Sequence, residues 1–119
     1  MSHFLGLRTA IYAAPDLVAL RDWYTQILGF GPYFDEPFYV GFNVGGYELG
    51  LDPAAPPQQG GGVYWGVADA ASALSHLLSA GATPHEALQD VGDGILVAKV
   101  LDPAGNVLGI IQNPHFVLP

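Results

Sequence analysis

The 119-residue chain has no cysteine, and only three lysines and arginines stand against eleven acidic residues. Without cysteine there is no disulfide, no thiolate nucleophile and no cysteine-based zinc site, which fits a reducing, cytoplasmic setting. The net charge of −8, with Arg8, Arg21 and Lys99 as the fixed cations, leaves no basic footprint for nucleic acid. It equally disfavours side-chain phosphate sites and points instead to neutral or cationic ligands. No apolar run is long enough to span a bilayer, and the N-terminus lacks a basic segment followed by an apolar one, so neither a membrane span nor an export signal is expected. Ser-His-Asp ordering, a phosphate loop and the dinucleotide-binding glycine pattern are missing as well.

What is present is apolar material and turn chemistry. Half of the residues are hydrophobic, only 12% are charged, and 16 glycines and 10 prolines predict short strands joined by many turns. Leu7–Ala14 reads as a strand. Asp16 caps a helix from Leu17 to Leu28 whose apolar stripe is Leu17, Leu20, Tyr24, Ile27 and Leu28, and Gly29 ends it. Two apolar segments, PYFDEPFYVGFNV and YELGLDP, then flank Gly45-Gly46, a two-residue hairpin signal. After the proline- and glycine-rich stretch PAAPPQQGGG the order repeats: strand VYWGVA, a helix from Asp69 to about Ala80 stopped by Gly81, an edge strand TPHEALQ, and the hairpin GILVAKVL–NVLGII around Asp102–Asn106. Each half is therefore β-α-β-β-β, a unit of roughly 50 residues that buries little core alone and is expected to pair. The expected fold is α+β, with two tandem modules forming an eight-stranded curved sheet that carries its helices on one face. The expected organisation is a single domain: module one at about 5–52, a linker at 53–61, module two at about 62–113 and a tail at 114–119.

Turn positions set the hairpin registers. Asn43 should face Glu48 and Gly41 should face Gly50, while Lys99 should face Gly109 and Val97 should face Ile111. Alternation then puts Val40, Phe42, Val44, Tyr47, Leu49 and Leu51 on one face of the first hairpin, and Ala98, Val100, Leu108 and Ile110 on one face of the second. Those faces are the expected core. The opposite faces carry Tyr39, Asn43 and Glu48 in one module and Lys99 beside the bare Gly109 in the other, a mixture suited to a ligand surface.

The aspartate-led helix ending in Tyr24 and Leu28-Gly29-Phe30, the second module's VADAASALSHLLSAGA and its Asp-Pro-x-Gly-Asn turn resemble the vicinal oxygen chelate superfamily over residues 5–113. That superfamily contains glyoxalase I, extradiol dioxygenases and bleomycin-resistance proteins. The resemblance implies a cavity under the sheet and a homodimer. In metal-dependent members it also implies four inward ligands, which fall here on Thr9, Glu48, Gly62 and Gly109. Only Glu48 among these is a strong donor, so no metal and no cofactor are expected. The expected ligand-binding set is Thr9, Tyr39, Asn43, Glu48, Tyr64, Lys99 and Gly109. The leading functional expectation is a metal-free, bleomycin-resistance-like protein that holds a small organic molecule, neutral or cationic. The alternatives are a glyoxalase-type lyase or isomerase with Glu48 as general base, and a regulatory or structural module without a ligand.

Individual side chains carry further expectations. Glu48 and Lys99 are expected to neutralise each other across the cavity, and a desolvated Lys99 is a weaker candidate for a Schiff base. Tyr33, Tyr39 and Tyr64 suit stacking on a flat or cationic ligand. Trp23 and Trp65 fall on core positions. His76 falls on a solvated helix face, His85-Glu86 on a solvated edge strand, and His3 and His115 in the terminal segments.

Overall fold

The computed structural model describes residue 3, residue 5, residues 7–56 and residues 63–117. The chain divides into two compact units, Met1–Pro57 and Gln58–Pro119. The first contains β1 (Thr9–Ala13), α1 (Leu17–Leu28), β2 (Phe34–Glu36), β3 (Tyr39–Val44) and β4 (Tyr47–Asp52). The second contains β5 (Tyr64–Gly66), α2 (Ala70–Ser79), β6 (Thr83–Asp90), β7 (Leu96–Leu101) and β8 (Val107–Gln112). Each unit builds its own four-stranded mixed sheet, in the orders β1-β4-β3-β2 and β5-β8-β7-β6. The first strand of each unit lies parallel to the last, while the other pairings are antiparallel. This is the α+β repeat expected from the sequence.

Local chemistry accounts for the boundaries. The carboxylate of Asp16 accepts the Ala19 N–H at 3.1 Å, and that of Asp69 accepts the Ser72 N–H at 3.1 Å, so both helices start on the expected caps. Gly29, at φ 83°, closes α1 in the left-handed conformation that a side chain would oppose. Gly45 and Gly46, both at positive φ, make the tight turn whose twist suits the β3–β4 hairpin.

The helices cover the faces predicted as core. In the first unit Val40, Phe42, Leu49 and Leu51 are buried with Leu20, Trp23 and Tyr24 of α1, whereas Val44 and Tyr47 of the same face, flanking the Gly45-Gly46 turn, are half-buried and exposed respectively. The Tyr24 ring lies 6.5 Å from that of Phe42 and 6.1 Å from that of Tyr12, which fixes this side of the sheet as the helix side. In the second unit Ala98, Val100, Leu108 and Ile110 are buried in the same way. The hairpin registers are also as expected, with Asn43↔Glu48 and Gly41↔Gly50 in one and Lys99↔Gly109 and Val97↔Ile111 in the other.

The β7–β8 turn is held by a buried network. Asp102 Oδ1 accepts the N–H groups of Ala104 and Asn106, each at 2.9 Å, and Oδ2 accepts from Asn106 Nδ2 at 2.9 Å. Two elements depart from the sequence reading. β1 is shorter than Leu7–Ala14, starting only at Thr9 where pairing with β4 begins. β6 runs a full eight residues, all exposed, and its pairing with β7 slips between Pro84 and Glu86 and again between Glu86 and Gln89.

Candidate functional site

The face of the first sheet turned away from α1 is organised around one carboxylate. Glu48 projects from β4, directly opposite Asn43 of β3 and beside Thr9 of β1. The hydroxyl of Tyr39 donates to Glu48 Oε2 at 2.6 Å, and the hydroxyl of Tyr33 donates to Oε1. Both carboxylate oxygens are thus engaged by phenols, and the Tyr39 bond has the length of a charge-assisted one.

The two glycines of this face make the arrangement possible. A Cβ on Gly50 would run into the Tyr39 hydroxyl and sit 2.6 Å from its Cζ, so only a bare backbone lets the ring cross β4 to reach Glu48. A Cβ on Gly41 would meet Glu48 Oε1 at 3.1 Å and Tyr33 Cε1 at 3.2 Å. Burial pushes the Tyr39 hydroxyl above its usual range, and the negative charge of Asp52 adds to the shift. Asn43, one of the expected ligand-binding residues, accepts the Gly46 N–H at 2.9 Å through Oδ1 and so braces the hairpin turn. Thr9 is exposed next to Glu48.

Beside the clamp lies a shallow cleft of about 500 Å³ lined by Tyr33, Phe34, Phe38, Tyr39 and Asp52. The Phe34 ring lies 6.0 Å from that of Phe38 and 6.2 Å from that of Tyr39, both at steep tilts. Phe34 and Phe38 were not among the residues singled out from the sequence. The available signal was register: Phe34 pairs with Gly41 and therefore shares the face of Glu48.

The corresponding face of the second sheet has a different chemistry. The ring of Tyr64 lies over Gly109, where a Cβ would sit 2.8 Å from Tyr64 Cδ1 and 2.8 Å from the Val63 carbonyl oxygen. Lys99 Nζ stands 5.4 Å from the centre of the same ring and 3.6 Å from the Glu86 carboxylate. A hydrogen bond with Tyr64 raises the Lys99 pKa above its ordinary range; burial opposes this, and the charge of Glu86 reinforces it. A lysine held more firmly protonated is the reverse of what Schiff-base chemistry needs. Within its own unit Lys99 takes Glu86 as counter-ion, and within the other Glu48 takes two phenols. The cause is that Glu86 falls directly opposite Lys99 once the irregular β6–β7 register is accounted for.

Register within the repeat also tests the donor set for a metal. Gly109 stands opposite Tyr64, two residues beyond position 62, and Gly50 stands opposite Ile11, two residues beyond Thr9. Gly50, rather than Glu48, is therefore the internal counterpart of Gly109, and Glu48 corresponds to Val107. Thr9, Gly50 and Gly109 supply no strong donor among them, and both oxygens of Glu48 are already bonded. Position 62 lies outside the described residues. A divalent metal needs several convergent oxygen or nitrogen ligands, which these residues do not provide. Among the described residues no three His, Cys, Asp or Glu side chains converge.

The remaining side chains fall as follows. Trp23 is buried and Trp65 half-buried, whereas His76, His85 and Glu86 are exposed. His3 is exposed, and His115 Nε2 lies 2.8 Å from the Asp93 carbonyl oxygen. Among the described residues no helix is long and apolar enough to cross a membrane.

Comparison with known proteins agrees with this architecture. The family model of the Glyoxalase/Bleomycin resistance protein/Dioxygenase superfamily matches residues 2–110. A search of curated proteins found no match. Among solved structures, a glyoxalase-related enzyme from Fulvimarina pelagi superposes with a TM-score of 0.79 at 18% identity, covering 98% of this chain and 94% of that one. Lactoylglutathione lyase from Agrobacterium tumefaciens gives a TM-score of 0.76 at 16% identity, over 97% of this chain and all (100%) of that one. A bleomycin resistance determinant encoded on transposon Tn5 gives 0.68 at 22% identity, over 92% and 98% of the respective chains. At these identities the likeness is one of fold.

Proposed function

The chain belongs to the Glyoxalase/Bleomycin resistance protein/Dioxygenase superfamily, and from that premise we propose that it binds a small organic molecule, neutral or cationic, without recruiting a metal. The observation that carries this reading is the face around Glu48. Two tyrosines converge on one carboxylate there, next to an aromatic-lined cleft, in a sheet where Thr9 and Gly50 offer no strong metal donor. Such a surface offers ring faces and a fixed negative charge, features that orient an organic ligand rather than coordinate an ion. A cytoplasmic homodimer fits the absence of cysteine and the exposed apolar side chains Leu5, Leu7 and Phe116.

A lyase or isomerase reading, with Glu48 as general base, is disfavoured by its partners. Both oxygens already accept phenol hydrogens, so a carbon acid would have to displace one of them before transferring a proton. The test combines elemental analysis of the purified protein with a thermal-shift screen of organic ligands and an assay for metal-stimulated lactoylglutathione lyase activity. Metal far below one equivalent together with a stabilising organic ligand is the expected outcome. One equivalent of Zn or Ni, removed by chelator with loss of turnover, would overturn the proposal.

A further inference from the structure

The cleft beside Glu48 has a composition that selects among organic ligands. Four of its five lining residues are aromatic, the fifth is Asp52, and none is basic. The basic side chains Arg21 and Lys99 are occupied elsewhere, Arg21 by Asp22 and Asp35 at 3.0 and 3.3 Å and Lys99 by Glu86. The rings are not simply greasy. Tyr33 and Tyr39 both donate their hydroxyl hydrogens to Glu48, and a phenol that donates to a carboxylate gains electron density on its ring. An electron-rich ring face attracts a cation more strongly. Asp52 sits close enough to Tyr39 to raise its pKa, so its field extends over the same space.

The geometry points to a binding site for an alkylated ammonium group in this cleft, with the methyl groups against Tyr39, Phe34 and Phe38 and the charge facing Asp52. This rests on the reading of the Glu48 face as a ligand surface and narrows its ligand class to organic cations. A strongly hydrated ammonium such as a lysine head would lose its water here with only one carboxylate in return. A quaternary ammonium carries little such cost, because its charge is spread over methyl groups that pack on rings.

The test uses choline and its neutral carbon isostere, in which a quaternary carbon replaces the nitrogen. Proton NMR of the N-methyl resonance, titrated against the full chain, reads both affinity and the upfield displacement expected of methyls lying over ring faces. Choline should bind with a Kd of about a millimolar or tighter, and the isostere about ten-fold more weakly. Phe38→Ala should weaken choline about three- to ten-fold, and Asp52→Asn by a similar factor. Phe38 is 67% exposed, so its loss leaves the fold intact and keeps the test valid even if Asp52→Asn disturbs the turn at Ala54. Equal binding of choline and isostere would overturn the cation inference, as would choline binding untouched by both substitutions. A neutral ligand emerging from the thermal-shift screen while choline fails to bind would also sink it, yet would leave the broader small-molecule reading standing.

Discussion

Replacing Gly50 with alanine tests whether a missing side chain holds the Glu48 face together. The backbone at Gly50 is not in the left-handed region, so alanine adopts it freely and would on its own stabilise the strand by about 0.5–1 kcal/mol. Against that, the new methyl group collides with the Tyr39 hydroxyl and lies 2.6 Å from Cζ and 3.0 Å from Cε1. The contacted atoms belong to the far end of a side chain, so the ring swings away and its bond to Glu48 is lost. A hydrogen bond to a charged group contributes about 1.5–3 kcal/mol, and the half-buried position of Tyr39 puts the loss toward the lower end. The net expectation is a destabilisation of about 0.5–1.5 kcal/mol, with about 3–6 °C in Tm for each kcal/mol in a chain of this size. In a Tyr39→Leu background the same change should be neutral or mildly stabilising, because leucine stops short of all three contacted atoms. Urea denaturation of the four proteins in the cycle gives the coupling directly. An equal cost in both backgrounds would refute the reasoning. Gly109 offers the contrast within the same molecule: its Cβ would also meet the Val63 carbonyl oxygen at 2.8 Å, and backbone does not swing away. Gly109→Ala should therefore remain destabilising after Tyr64→Leu, and rescue there would show that the two notches work alike.

Other consequences can be measured independently. Asp102→Ala removes an acceptor shared by two backbone N–H groups and the Asn106 amide in a buried turn, and should cost about 2–4 kcal/mol by chemical denaturation; a loss under about 1 kcal/mol would mean that water replaces the carboxylate. The folded-state pKa values of Tyr39 and Lys99 are both raised above their ordinary 10.0 and 10.5. Their contribution to stability is then complete below those values and is lost as pH climbs through the raised ones, so the fold should weaken in the alkaline range and not near neutrality. Absorbance at the tyrosinate band should lose a late-titrating component in Tyr39→Phe. Light scattering should report a homodimer at micromolar concentration, consistent with exposed Leu5 and Leu7; a monomer would assign those side chains to solvent.

The parts legible in the sequence were those governed by local rules. Gly45-Gly46 and Asp102–Asn106 set two registers, and each register divides its hairpin into a helix face and an open face, correctly at Val40, Phe42, Ala98 and Val100 but not at Tyr47, which flanks the turn and is exposed. The partners on the open faces were not legible. Tyr33 reaches Glu48 across fifteen positions of chain over the bare backbone of Gly41, and Tyr39 reaches it over that of Gly50. Glu86 reaches Lys99 through a strand pairing that slips twice, and alternation carries no trace of a slip. For the same reason Glu48 and Lys99 stand out in the sequence only as isolated charges, without the groups beside them.

The slips in β6 bear on whether this sheet edge can template further strands. Half of the chain's residues are hydrophobic and only 12% are charged, so colloidal stability depends heavily on how its open edges are finished. Eight consecutive exposed residues in strand conformation form the longest such ledge described in the molecule. A straight ledge of that length would template stacking of further copies, strand upon strand. Pro84 withholds a donor, Glu86 and Asp90 place charge along the strand, and the two slips keep its N–H and C=O groups from presenting an even row. The irregularity that hid Lys99's partner from a reading by alternation thus also makes this edge a poor seed for aggregation.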